Sequence, residues 1–305
     1  MSPDLDHGQA PTAPDWTFGG SWPYDPRSFE HGGVRLHYVD EGSGEPVVML
    51  HGNPTWGYVY RGFVARLADS RRCTVPDHMG FGRSDKPLDG GQYTLSRHVE
   101  NLTALLLDLD LRDVTLVMQD WGGPIGFGFA VEHPERVKRL VILNTWAFLY
   151  PEGTRLHGLL ELFRQPHVGE AMVQALNLFV EGYLPGGIHH KDKLPEIMPA
   201  YRAPFPDYNS RVGTLAFPRD IPVGEGHPSA PTMRRIEKNL RGLDVPTALI
   251  WGMRDPDFEP SVVEEWTEVY PHAEVHRIET AGHFSQEDEP ERVVRIIQDF
   301  LRRNP

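Results

Sequence analysis

Two short apolar runs, Pro46–Leu50 (PVVML) and Val114–Met118 (VTLVM), constrain this chain most. Runs of this kind, with no alternating polar face, suit strands buried on both sides of a mostly parallel sheet. Val137–Leu143, Thr247–Trp251 and Val275–Ile278 read as further strands, and Val34–Val39 alternates apolar and polar residues ahead of the turn Glu41-Gly42-Ser43-Gly44. Helical patterns sit between them. Leucines recur at helical spacing over Leu95–Leu109 behind Thr94 and Ser96, Pro134 ends an apolar stretch over Gly126–His133, and Glu291–Leu301 is amphipathic. Strands alternating with helices predict a doubly wound α/β sheet.

The rhythm breaks between Trp146 and about Pro231. This stretch carries helical pieces (Leu156–Phe163, Glu170–Val180) and many prolines, but no buried-strand run. The reading is a core formed by 1–146 and 232–305, with 1–27 as an extended leader and 147–231 inserted as a helical cap. A cap placed after a strand lies over the strand C-termini, where open α/β sheets bind ligands. A chain of 305 residues accommodates such an insertion on one core. The balance of 43 acidic against 30 basic side chains, net −13, disfavours nucleic acid and anionic membrane surfaces as partners. No window of about 18 apolar residues offers a membrane span. The single Cys73 excludes an intrachain disulfide and a cysteine metal cluster. The opening MSPDLDHGQAPTAPDW has neither a basic nor an apolar signal region, so a cytoplasmic protein is expected.

Four segments at strand C-termini carry the chemistry. Gln119-Asp120-Trp121-Gly122-Gly123 joins a buried strand directly to a helix, the nucleophile-elbow layout with Asp120 where lipases and esterases carry serine. The spacing G-x-G-x-x-G is not met, which argues against a dinucleotide loop. A plain N-cap would also use Asp120, but would not need the Gly-Gly pair. His51-Gly52-Asn53-Pro54-Thr55-Trp56 follows the first buried strand and can supply a backbone N–H to an oxyanion hole; an Asn-Pro turn is the plain alternative. Ala281-Gly282-His283-Phe284 places a histidine after the last strand, which suits the order nucleophile, acid, base. In Trp251-Gly252-Met253-Arg254-Asp255-Pro256-Asp257, either Asp255 or Asp257 can hold that histidine's ring. His272 and His276 make a poor metal pair at a strand start, and His189-His190 reads as solvated.

HGNPTW, QDWGGPIG, WGMRDPDF and AGHFSQEDEP resemble the motifs of haloalkane dehalogenases in the α/β-hydrolase superfamily, over about residues 28 to 301. The resemblance implies the α/β-hydrolase fold with an inserted helical cap. It implies Asp120 as nucleophile, His283 as base, Asp255 as acid, and Asn53 and Trp121 as halide and oxyanion ligands. It implies no metal and no cofactor, a small halogenated hydrocarbon as substrate, and an alcohol, halide and a proton as products. An ionised carboxylate needs no base to attack an sp³ carbon, and neutral N–H donors can hold a departing halide and still release it. Some relatives place the acid after the strand preceding the cap, where this chain carries Asn144. The set Asn53, Trp121 and Asp255 is similar to the family's third subfamily, whose members self-associate. Phe148, Phe179, Phe205, Phe217, Pro218, Phe258 and Phe284 are candidates for an apolar pocket, and each suits a core position equally well. An epoxide hydrolase with Tyr183, Tyr201 or Tyr208 as acid is the nearest rival, although Asn53 then has no halide to bind. A coelenterazine-type luciferase or a non-catalytic small-molecule receptor are more distant ones.

Overall fold

The computed structural model describes residues 15–305. Eight strands form one sheet: β1 (Arg27–His31), β2 (Val34–Gly42), β3 (Pro46–Leu50), β4 (Arg72–Pro76), β5 (Val114–Gln119), β6 (Val137–Leu143), β7 (Thr247–Gly252) and β8 (Glu274–Ile278). Their order is β1-β2-β4-β3-β5-β6-β7-β8. The first two pairings are antiparallel and the rest parallel. Every residue of β5 and β7 is buried, as their unbroken apolar runs require. The helices α1 (Arg61–Leu67), α2 (Leu95–Asp108) and α3 (Gly122–Glu132) cross between strands. Thr94 caps α2, its Oγ1 accepting from the Arg97 N–H at 3.3 Å.

Between β6 and β7 lie α4 (Gly158–Arg164), two π-type turns (Glu170–Ala175 and Phe179–Tyr183), α5 (Leu184–Gly187), α6 (Leu194–Arg202), α7 (Val212–Asp220) and α8 (Ala230–Asn239). The chain closes with α9 (Pro260–Val269), α10 (Ser285–Asp288) and α11 (Pro290–Arg303). In α11, Val293, Val294, Ile297, Phe300 and Leu301 form one buried stripe and pack toward α1. Among the described residues, no helix is long and apolar enough to cross a membrane.

Two features depart from the sequence reading. Part of the leader is packed: Trp16, Phe18 and Trp22 surround Trp56 with ring centroids 5.6–5.9 Å away. Residues 1–14 of the leader lie outside the described residues. Strands β1 and β4 also went unpredicted, because RSFEH and RCTVP are short and begin on arginine.

The topology places the site. From β3 the chain moves outward to β4, then returns to β5 on the other side of β3. The loops leaving the C-terminal ends of β3 and β5 therefore splay apart at the strand-order reversal, opening a crevice between them.

Candidate active site

Asp120 occupies that crevice at φ +49°, a left-handed conformation that Asp tolerates better than most residues. The elbow is held tightly from behind. A Cβ at Gly122 would stand 2.1 Å from the Leu50 carbonyl, and one at Gly52 would meet the Asp120 carboxylate at 2.1 Å. These two glycines let the loops of β3 and β5 close on the carboxylate. The Asn53 backbone N–H donates to Asp120 Oδ1 at 2.7 Å, and the neighbouring Trp121 backbone N–H also favours the ionised carboxyl. Two backbone donors thus converge where charge would develop on an acyl oxygen of Asp120.

His283 stands beside it, fully buried, with Nε2 3.8 Å from Asp120 Oδ2. Its Nδ1 is 2.8 Å from Asp255 Oδ2, whereas the side-chain hydrogen bond of Asp257 goes to Tyr183. Asp255 Oδ1 accepts from the Asp257 and Phe258 backbone N–H groups at 2.8 and 3.2 Å. Two further amides hold this pair, neither of them read from the sequence as a partner of it. The Asn144 Nδ2 donates to Asp255 Oδ2 at 2.8 Å and to the Gly252 carbonyl at 3.0 Å, while its Oδ1 accepts from the Gly252 N–H at 2.8 Å. Gln119 Nε2 lies 3.0 Å from His283 Nε2 and donates to the His283 carbonyl at 3.3 Å. Once His283 is neutral, with Nδ1–H turned to Asp255, Gln119 Nε2 can donate to the free Nε2 and steady that tautomer.

The loop carrying His283 is also clasped to the insertion. Asp288 accepts from the Gly282, His189 and His190 N–H groups at 2.7–2.8 Å. The buried Glu287 takes both guanidinium nitrogens of Arg61, at 2.6 and 2.7 Å, and the Tyr201 hydroxyl. A buried pair of this kind gains most from its geometry, since desolvation offsets much of the attraction.

Burial raises the pKa of Asp120 to about 6, although His283 and the two backbone N–H groups favour its ionised form. Burial opposes charge on His283 as well, but Asp255 above all, then Asp120 and Asp257, hold it up at about 9. Asp255 is buried too, yet His283 and its backbone donors outweigh the burial and keep it below the ordinary carboxylate range. At neutral pH the site therefore holds an imidazolium between carboxylates.

The pocket above Asp120 is lined by Asn53, Trp121, Trp146, Tyr150, Leu156, His157, Leu160, Phe179, Tyr183, Pro218, Ile221, Asp257 and Phe258. Of the predicted pocket residues, Phe179, Pro218 and Phe258 line it. The other four do not. Phe217 is core, wedged against Trp121 and Phe81 at 4.7 and 4.6 Å, and Phe205 packs on Phe81. Phe148 lies on Trp266 at 4.8 Å, and Phe284 fills the space left by Gly187 beside His283. The Asn53 Nδ2 donates one hydrogen to the Thr214 carbonyl at 3.1 Å and keeps a second. Asp255, Asp257 and His283 present donor atoms within 4.8 Å of one another, but the first and last are engaged with each other.

A family model described as the alpha/beta hydrolase fold matches residues 45–290. The chain is 40% identical over 284 residues to a cis-3-alkyl-4-alkyloxetan-2-one decarboxylase of Shewanella oneidensis, covering 92% of this chain and 89% of that one. It is 34% identical to haloalkane dehalogenase 2 of Mycobacterium tuberculosis, covering 90% and 94%. The crystal structure of the haloalkane dehalogenase DatA from Agrobacterium tumefaciens superposes with a TM-score of 0.82 at 31% identity, covering 96% of this chain and all of that one. Fold and site together define an α/β hydrolase. Within that superfamily the chain belongs to the haloalkane dehalogenase family, a family of hydrolytic dehalogenases.

Proposed function

We propose that this chain hydrolyses haloalkanes through an alkyl ester on Asp120, with 147–231 acting as the cap of the site. The observation that carries the reading is a carboxylate, not a hydroxyl, at the elbow, with an imidazole 3.8 Å away. Asp120 displaces halide from an sp³ carbon, and the halide is held by the free hydrogen of Asn53 Nδ2 and the Trp121 indole N–H. Alkylation removes the Asp120 charge, one of the charges holding the His283 pKa high, so the imidazolium gives up its proton more readily. Neutral His283 then takes a proton from water, which attacks the ester carbonyl. The backbone N–H groups of Asn53 and Trp121 hold the oxyanion. Collapse returns Asp120 and releases the alcohol, which for a terminal halide is a primary alcohol.

The pH dependence of the first step follows from this electrostatics. Below about 6, Asp120 carries a proton and is not nucleophilic. Single-turnover alkylation by a reactive bromoalkane is expected to fall about tenfold per pH unit below that value and to level off above it. Rapid quenching with intact-protein mass spectrometry from pH 4.5 to 8 measures it. A rate that is flat, or that falls as pH rises, contradicts a carboxylate nucleophile.

A second reading is favoured by the 40% identity to the oxetanone decarboxylase against 34% to the dehalogenase. In a 3,4-dialkyl oxetan-2-one, C4 is also an sp³ carbon bearing a leaving oxygen. Asp120 displaces the ring carboxylate from C4. The C3–carboxylate bond then breaks, its electron pair forms the alkene, and carbon dioxide and the Asp120 carboxylate depart. This sequence uses no water and no base, so His283 separates the two readings. With a bromoalkane, His283→Phe is expected to accumulate alkylated Asp120 and stall. With a cis-3,4-dialkyl oxetan-2-one, it is expected to keep making alkene if decarboxylation is the activity. Multiple-turnover halide release by His283→Phe rejects the hydrolytic mechanism. Wild-type alkene formation without halide release from any bromo-, chloro- or iodoalkane rejects dehalogenation.

A further inference from the structure

We propose that Asp257 and Tyr183 form a recognition pair for an oxygen function that the substrate carries close to the carbon Asp120 attacks. The inference rests on Asp120 being the nucleophile, and it narrows the substrate class of that same pocket.

Asp257 leaves the loop after β7 and its side chain is only 7% exposed. Its Oδ2 accepts from the hydroxyl of Tyr183, which ends the second π-type turn of the insertion. The pair therefore bridges core and insertion across the pocket wall. Asp257 Oδ1 is buried and has no hydrogen-bond partner. The Nδ1 of His157, on an exposed ring at the pocket rim, stays 3.6 Å from it, beyond a hydrogen bond.

Orienting the histidine does not require Asp257. Asp255 already binds His283 Nδ1, Asn144 and two backbone N–H groups. Nor does an alkyl halide require it. Leu156, Leu160, Phe179, Ile221 and Phe258 give that chain an apolar wall, whereas packing methylenes against Asp257 Oδ1 would leave a buried polar atom unpaired. A substrate hydroxyl donates to Oδ1, and a substrate carbonyl accepts from it when the carboxyl is protonated. Burial, reinforced by the neighbouring Asp255 charge, raises the Asp257 pKa and favours the protonated form, although His283 and Tyr183 oppose it.

Position fixes where the oxygen sits. An oxygen of Asp257 lies within 4.8 Å of a ring nitrogen of His283, and Asp257 and Asp120 line the same pocket. A substrate oxygen that meets Oδ1 thus lies in the same pocket as the reacting carbon, within a few carbons of it. Haloalcohols, halogenated esters and strained lactones share this chemistry, while plain haloalkanes lack it.

The test compares 1-bromohexane, 4-bromobutan-1-ol and methyl 4-bromobutanoate in single-turnover alkylation. Intact-protein and peptide mass spectrometry follow the adduct on Asp120 in wild type, Tyr183→Phe and Asp257→Leu. The readout is each oxygenated probe's alkylation rate divided by that of 1-bromohexane, which cancels any general loss of activity. For 4-bromobutan-1-ol or the ester, the ratio is expected to fall about tenfold or more in whichever variants fold, the size of one lost polar contact. The alcohol and ester arms show whether Oδ1 accepts or donates. Ratios within about twofold of wild type for both oxygenated probes overturn the inference while leaving Asp120 as nucleophile. Wild-type protein that forms no adduct on Asp120 with any probe removes the nucleophile reading and the inference with it.

Discussion

Asp120→Ala is expected to abolish halide release, a loss on the scale of the about 10⁶ seen when a hydrolase nucleophile is removed. No neighbour can substitute. Asp255 is committed to Nδ1 of His283, the side of the ring facing away from Asp120, and Asp257 is engaged with Tyr183. Neither stands on the elbow between the two converging backbone donors. The protein itself is expected to stay folded, because two effects oppose each other. Alanine at φ +49° costs about 1 kcal/mol or somewhat more relative to a relaxed backbone. Against this, removing a carboxylate whose pKa folding raises to about 6 relieves an unfavourable burial at neutral pH. The sign is that of a raised acid: its ionisation lowers stability as pH climbs from the ordinary carboxylate range through about 6. A thermal melt at pH 7.5 close to that of wild type, together with no halide on an ion-selective electrode, is the expected pair of results. Halide release near the wild-type rate would place the nucleophile elsewhere.

The elbow was legible in the sequence because its constraints are local. A fully apolar strand, one Asp and a Gly-Gly pair lie within a few residues, and each glycine answers a definite backbone approach. His283 was legible among 15 histidines because it follows a strand in the right chain order. Gln119 and Asn144 were not, since their importance lies in partners 164 and 111 residues away. Neutral amides at strand ends carry no local sign of that. The pocket divided for another reason. Phenylalanine suits a core and a pocket equally, and the side it faces depends on helix orientation. In the insertion, π-type turns interrupt the helices, so a period of 3.6 residues does not report which face turns inward. Phe179, in such a turn, faces the pocket while Phe205 and Phe217 of the insertion became core, and Phe258 reaches the pocket from the loop after β7.

Asp255→Asn is expected to leave the first halide release nearly intact and to slow hydrolysis of the alkyl-enzyme by about 10⁴, the cost of the analogous change in serine triads. That factor corresponds to about 5.4 kcal/mol of transition-state stabilisation. The asymmetry between steps arises because displacement needs only the Asp120 carboxylate, whereas hydrolysis creates an imidazolium that Asp255 stabilises. Without the Asp255 charge the His283 pKa falls, so the ring remains a neutral but weaker base and loses the carboxylate that fixes its tautomer. A burst of about one halide per site followed by accumulation of alkylated protein is the expected record. Asn144 makes the position testable from the other side. Its amide already touches Asp255 Oδ2, so a carboxylate grown from residue 144 points toward the same ring nitrogen. Asp255→Ala combined with Asn144→Glu is therefore expected to recover part of the lost turnover. Recovery is incomplete because Glu cannot donate to the Gly252 carbonyl, and only one side-chain oxygen can take up the Gly252 N–H that Asn144 holds. Equal slowing of both steps in Asp255→Asn would mean that Asp255 also shapes the attack by Asp120, and would reject its assignment to hydrolysis alone.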